Sequence, residues 1–341
     1  MRQIKFKTIK SSAIFFIVFF AVLITKNVYA ESDKKLSEYD IVQQFINRMV
    51  TQYNFDQKYL TKLFNHTELS QDVINKINHP YEKKPWYIYK QNFLTQKRID
   101  DGVKYWIKHW NALAYAQKEY GVPANIIVAI VGVETLYGET ELKYPVLNSL
   151  ATLSFAYPKR SRFFTQELEE YLLLTRELDL NPASVKGSYA GALGLPQFMP
   201  SNYRRFAVSY QNKNTKDLLH DTDDVIVSIA NFLNYFGWEE NGLIAIPAKV
   251  KGNKYEKLLS NSLKPKLTIA QLRKYNVKPI KRINPRQRAV LFELEDADIY
   301  EYWLGFDNFS VLSNYNNDKQ YILTVYLLAE KIKQKMISSS F

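Results

Sequence analysis

GVPANIIVAIVGVETLYG, residues 121–138, is the stretch on which the fold turns. Ile126, Ile127, Val128, Ala129, Ile130, Val131 and Val133 are apolar however a helix of 3.6 residues per turn is rotated. A helix with no polar side belongs at the centre of a packed domain. Pro123 suits the first helical turn, where its missing N–H is not needed, and Gly138 supplies a stop. Glu134 is the only ionisable group near the end of this run. An ionised carboxylate buried without a partner costs several kcal/mol. The Glu134 carboxyl should therefore meet a cation, or keep its proton with a raised pKa. A carboxyl that holds its proton is what a general acid needs near neutral pH. A structural glutamate paired with Arg160 or Arg162 is the alternative.

Working outward, GSYAGALGLPQFMPS (187–201) places Ala190, Gly191, Ala192 and Gly194 together, which permits close backbone approach to another element or a ligand. A tight helix crossing explains the small residues but not Ser188 and Gln197 beside them. Asn314-Tyr315-Asn316, followed by Tyr321, gathers amides and phenols before a C-terminal helical run over 321–337. Helical spacing also marks residues 31–80 (Ile41, Phe45, Ile46, Met49, Val50). It continues from 101 to about 243, including Tyr105, Trp106, Trp110, Leu113 and Ala116, then Phe163, Leu168, Tyr171 and Leu172, then Val225, Ile226, Ile229, Phe232 and Leu233. Pro80 to Trp86 reads as turn-rich. After Gly242, Leu243–Val250 and Ala289–Leu294 read as strands. The pattern predicts an α+β protein, predominantly α-helical, with a smaller β-containing domain towards the C-terminus. The expected divisions are 31–243, 244–300 and 301–341.

The 341 residues include no Cys, which excludes disulfides, thiolate nucleophiles and cysteine-held metals. His66, His79, His109 and His220 form no close pair, so a histidine metal site is not expected. Residues 1–30 read as a secretory signal: Arg2, Lys5, Lys7 and Lys10, an apolar run from Ala13 to Ile24, then Val28-Tyr29-Ala30. That run is short of the about 20 residues a spanning helix needs. A cleaved, periplasmic protein starting near Glu31 is expected, with an uncleaved anchor as the alternative. With the five cations of that segment gone, the formal charge of +12 falls to +7, which suits an acidic polymer. No nucleic-acid-binding motif is present.

Four blocks carry a resemblance: YGVPANIIVAIVGVETLYG (120–138), LNSLATLSFAYPKRSRFFTQELEEYLLL (147–174), KGSYAGALGLPQFMPSNYRRFAV (186–208) and VIVSIANFLNYFGW (225–238), with NYN and Tyr321 after them. In this order they resemble the family 3 lytic murein transglycosylases. The resemblance implies a lysozyme-like helical domain with a glycan groove, and cleavage of the β-1,4 bond between N-acetylmuramic acid and N-acetylglucosamine without water. It implies Glu134 as sole acid/base and peptidoglycan strands as partner. Ser188, Gln197, Tyr315, Asn316 and Tyr321 match groove-lining positions, and Tyr89 and Tyr137 match aromatic walls. Most glycosidases need two carboxylates; a substrate whose own C6 hydroxyl attacks needs one. Glu139 and Glu141 follow closely in sequence.

The chain also departs from the family. Tyr137 stands where Trp is usual, and Leu136 where Arg is frequent, so a cation is lost. Lys159-Arg160 keep positive charge that suits acidic peptide stems. The family's calcium loop corresponds to Ser209–Asn214, which has a lysine and no carboxylate before Asp217. Calcium takes several anionic oxygens, so neither metal nor cofactor is expected. Without cysteine there is no site for acylation, and a soluble form is expected. A muramidase releasing reducing ends and a non-catalytic wall-binding scaffold are the competing functions.

Overall fold

The computed structural model describes residues 34–212, 216–259 and 262–338; the signal segment lies outside them. These residues form two compact units, 34–77 with 144–191, and 78–143 with 192–338.

In the first unit, helices Asp40–Tyr53, Gln57–Asn65, Val146–Phe155 and Ser161–Glu177 follow the predicted periodicity. The buried stripe of the first is Val42, Phe45, Ile46 and Met49, while Ile41 is 46% exposed. The apolar face is therefore rotated by one residue from the expected one. Phe45, Phe64 and Phe155 meet edge to face at 5.7–6.1 Å, the arrangement aromatic quadrupoles prefer. Asp56 caps the second helix by accepting the Tyr59 N–H. Strand β1 (Tyr144–Pro145) pairs antiparallel with β2 (Lys186–Gly187).

In the second unit, the helix Ala124–Thr135 is buried along nearly its whole length. It packs against Gln96–Lys108, Trp110–Tyr120, Thr222–Tyr235 and Lys319–Ser338. Its boundaries differ from the expected ones. Pro123 is the N-cap, and the helix ends at Thr135 because Leu136 turns left-handed; Gly138 closes a further short turn. β3 (Ala245–Val250), β4 (Leu267–Thr268), β5 (Val277–Pro279), β6 (Arg288–Asp296) and β7 (Ile299–Gly305) make one antiparallel sheet in the order β4-β6-β7-β3-β5. The two predicted strands are β3 and β6; β7 falls in the stretch expected to be part of the C-terminal segment. Ile246, Ile269, Leu272, Val277, Leu291, Leu304 and Phe306 form the sheet's own apolar core, and a Thr268–Gln271 capping box starts the short helix Ile269–Lys274 beneath it. Among the described residues, no single helix is long and apolar enough to cross a membrane.

Candidate active site

Glu134 lies in the last turn of the central helix and is half-buried, less enclosed than an all-apolar helix implies. The helix ends one residue later, which opens that turn. Leu136 (φ 49°) and Tyr137 (φ 60°) are consecutive non-glycine residues in the left-handed region. Each such residue costs about 1–3 kcal/mol, and it persists only where its surroundings over-determine it. Here the Tyr137 hydroxyl donates to the Arg98 carbonyl at 2.9 Å. Its ring lies 5.4 Å from that of Tyr105. A Cβ on either Gly102 or Gly132 would run into the Tyr137 hydroxyl.

Tyr321 meets the carboxyl. Its hydroxyl donates to Glu134 Oε1 at 2.5 Å, and the residue is only 3% exposed. Burial, then the nearby Glu134 charge, hold the Tyr321 phenol well above its ordinary range, so it remains a donor. Asp318 sets its place: Oδ1 accepts the N–H groups of Gln320 (2.8 Å) and Tyr321 (3.0 Å) at the start of helix Lys319–Ser338. Burial raises the Asp318 pKa, while those two amides act against the rise.

Gln197 sits on a tight loop in which Leu193 and Phe198 exchange backbone hydrogen bonds of 2.8 and 3.2 Å. Gln197 is left-handed (φ 49°) and donates from Nε2 to the Gly194 carbonyl at 2.7 Å. Gly194 (φ 63°) has the Leu218 carbonyl where a Cβ would stand, so the small residue serves close backbone approach. The loop is anchored on both sides. Thr135 Oγ1 donates to the Leu195 carbonyl at 3.3 Å, and the Tyr315 hydroxyl donates to that of Pro196 at 2.6 Å. The Tyr315 and Tyr321 rings stack at 6.5 Å with an 11° interplanar angle. Burial and the Glu134 charge raise the Tyr315 phenol too.

Glu134, Gln197, Tyr315 and Tyr321 are thus linked by direct bonds or through one loop. Tyr89 joins them from helix Trp86–Phe93, buried against Phe93 (4.8 Å) and Trp86 (6.3 Å) and near enough to push the Tyr321 phenol higher. Asn316 follows Tyr315, half-buried, with its backbone N–H donating to the Leu312 carbonyl at 3.3 Å. Ser188 belongs to the first unit, where its Oγ accepts the Ala190 N–H at 3.2 Å. Arg160, in that same unit, lies over the Phe163 and Phe164 rings. Neighbouring carboxyls are engaged elsewhere: Glu139 pairs with Lys97 at 2.7 Å, and the exposed Glu141 with Lys143 at 3.7 Å. Thr135, Asp318 and Arg98 were not singled out in the sequence. An Asp three residues before Tyr321, ahead of an apolar run, is an N-cap signal that marks Asp318.

In the loop matched to the family's calcium site, Lys213 and Asn214 lie outside the described residues. Asp224, 1% exposed, accepts the Tyr210 N–H at 2.7 Å and the Asp217 N–H at 2.9 Å, one on each oxygen. Among the described residues no three His, Asp or Glu are arranged to hold a metal. A cavity of about 730 Å³ lies elsewhere in the second unit, among His109, Trp110, Asp217, His220 and Asp223, and includes none of the groove candidates.

Residues 37–330 match the model of the transglycosylase SLT domain. The chain is 35% identical over 300 residues to the membrane-bound lytic murein transglycosylase B of Escherichia coli, covering 85% of this chain and 82% of that one. The catenated lytic transglycosylase SltB1 of Pseudomonas aeruginosa superposes with a TM-score of 0.82 at 36% identity, over 88% of this chain and 99% of that one. Escherichia coli Slt35, solved in complex with bulgecin A, gives a TM-score of 0.82 at 34% identity, over 89% and 95%. The four sequence blocks, the helical fold with its β-sheet, and these likenesses together place the chain in the SLT-domain family of lytic murein transglycosylases, enzymes that act on peptidoglycan.

Proposed function

We propose that the protein cleaves the β-1,4 bond between N-acetylmuramic acid and N-acetylglucosamine, with Glu134 as its only acid/base. Glu134 gives its proton to the glycosidic oxygen, and the N-acetylglucosamine end leaves with it. The muramoyl C6 hydroxyl then attacks C1 of its own ring and returns its proton to the Glu134 carboxylate. The strand ends in 1,6-anhydromuramic acid, and no water is consumed. The observation that carries this reading is the hydrogen bond from buried Tyr321 to Glu134, in a neighbourhood whose other carboxyls are occupied. Glu139 and Glu141 turn to lysines, and Asp318 caps a helix. A two-carboxylate mechanism needs a second acid held across the bond.

Gln197, Asn316 and Ser188 would bind acetamido and hydroxyl groups through their amides and hydroxyl. Tyr89, Tyr315 and Tyr321 would cover sugar faces. Tyr137, whose hydroxyl is committed to Arg98, would contribute through its ring and by supporting the turn after Glu134. The substrate is murein glycan outside the cytoplasm, reached after export and removal of residues 1–30. The +7 charge left after that removal suits a polymer whose peptide stems carry carboxylates.

Mass analysis of digested murein sacculi tests the reaction. The expected product is lighter by one water than a hydrolytic fragment, and reducing ends instead would identify a muramidase. Glu134→Gln should retain glycan binding and lose activity by about 10²–10⁴-fold, the usual worth of general acid–base catalysis. Wild-type activity in that variant would remove Glu134 from the mechanism.

A further inference from the structure

The carbonyls in the last turn of a helix lack intrahelical partners and form the negative end of its dipole, so they attract cations. Two such helix ends meet one side chain. Arg98 Nε donates at 2.9 Å to the Gly132 carbonyl, which also accepts the Leu136 N–H, in the last turn of the helix that bears Glu134. Its Nη1 donates to the Asn92 carbonyl at 2.5 Å, in the last turn of the helix that bears Tyr89. The guanidinium also lies 5.0 Å from the centre of the Phe93 ring. The carbonyl of the same residue receives the Tyr137 hydroxyl, which fills the space left by Gly102 and Gly132. Side chain and backbone of Arg98 thus hold three things: the Glu134 helix end, the Tyr89 helix end and the left-handed turn between Glu134 and Gly138. Burial lowers the Arg98 pKa, yet a guanidinium stays charged in proteins.

We propose that Arg98 is a positioning residue for the acid, a cation supplied from a neighbouring helix that sets Glu134 and Tyr89 in mutual register and locks the strained turn with Tyr137. Its planar fork spans two carbonyls at once, which the compact ammonium of lysine reproduces poorly. The proposal rests on Glu134 being the acid, so both are tested together but separably.

Soluble, peptide-free murein glycan strands are the probe, with kcat and KM measured separately for Arg98→Met, Arg98→Lys and Tyr137→Phe. Glu134→Gln serves as the zero, and thermal unfolding is followed in parallel. Misplacing a reacting group by about 1 Å costs on the order of 10²-fold in rate. Arg98→Met should therefore lower kcat by roughly 10- to 100-fold, a larger factor than any rise in KM from the displaced Tyr89 wall, and Arg98→Lys should recover part of the loss. Tyr137→Phe, which keeps the ring, should lower kcat by a smaller factor in the same direction. A folded Arg98→Met with wild-type kcat, or one in which only KM changes, overturns the proposal. If Arg98→Met does not fold, Tyr137→Phe decides, and wild-type kcat there overturns the lock. Full activity in Glu134→Gln would instead overturn the assignment of the acid.

Discussion

A phenol that is 3% exposed and bonded to a carboxyl oxygen at 2.5 Å has few conformations open to it. Tyr321 aims the Glu134 carboxyl, and its own proton is secure because burial and the Glu134 charge keep the phenol far above neutrality. Removing only the hydroxyl measures that contribution. A hydrogen bond to a charged group is worth about 1.5–3 kcal/mol. Tyr321→Phe is therefore expected to lower the unfolding temperature by a few degrees and, because the carboxyl loses its fixed aim, to lose roughly 10- to 100-fold in kcat on murein strands. An unchanged kcat would show that Tyr321 does not orient Glu134 for the proposed reaction. At this scale Glu134 was legible from sequence as the lone ionisable residue in an apolar run. Its degree of burial was not, because the helix stops earlier than Gly138 suggested and exposes its last turn.

The helix Thr222–Tyr235 shows how local chemistry sets an element's ends. Asp221 accepts the N–H groups of Asp223 (3.0 Å) and Asp224 (3.2 Å), two donors that the first turn leaves unpaired. Asp221→Ala should cost about 0.5–2 kcal/mol, which for a chain of this size lowers the unfolding temperature by a few degrees. Asp221→Asn should restore most of the loss. Equal melting of all three proteins would show that the cap contributes nothing. Elements with a strong period were legible: the central helix, the C-terminal helix, β3 and β6. The loop 193–198 was not, because its shape follows from the left-handed Gly194 and Gln197 and from two carbonyls held by Thr135 and Tyr315. The two-residue strands β1, β2 and β4 are too short for any alternation to register.

Across the whole molecule the response to acid follows from carboxylates paired with lysines. Lys335 holds Asp100, Lys97 and Lys104 hold Asp101, and Lys90 holds Asp296, each keeping its carboxyl below the usual range. A carboxyl whose folded pKa is depressed adds stability above its unfolded value, about 3.9, and loses it as pH falls through the folded value. Denaturant midpoints should therefore be nearly level from neutral pH to about 5 and fall below about 4. High salt should shrink the fall, since these pairs are solvent-facing. Asp318 runs the other way: burial raises its pKa, so its share of stability declines as pH rises through that raised value. A midpoint that rises on acidification below pH 4 would contradict the paired-carboxylate account.

The strongly periodic helices, strands β3 and β6, the candidate acid and the family were legible in the sequence alone, because periodicity and motif order are properties of residues close along the chain; β7, longer than β3, was not. Assembly of the site belonged to tertiary structure. Tyr89, Glu134, Gln197 and the Tyr315–Tyr321 stretch come from four separate segments, and nothing in their spacing states which hydroxyl meets which oxygen. Arg98 is the clearest case. Its partners are the backbone carbonyls of Gly132 and Asn92. A backbone carbonyl is chemically alike in every residue, so no side chain announces it, and only the folded chain shows which guanidinium it faces.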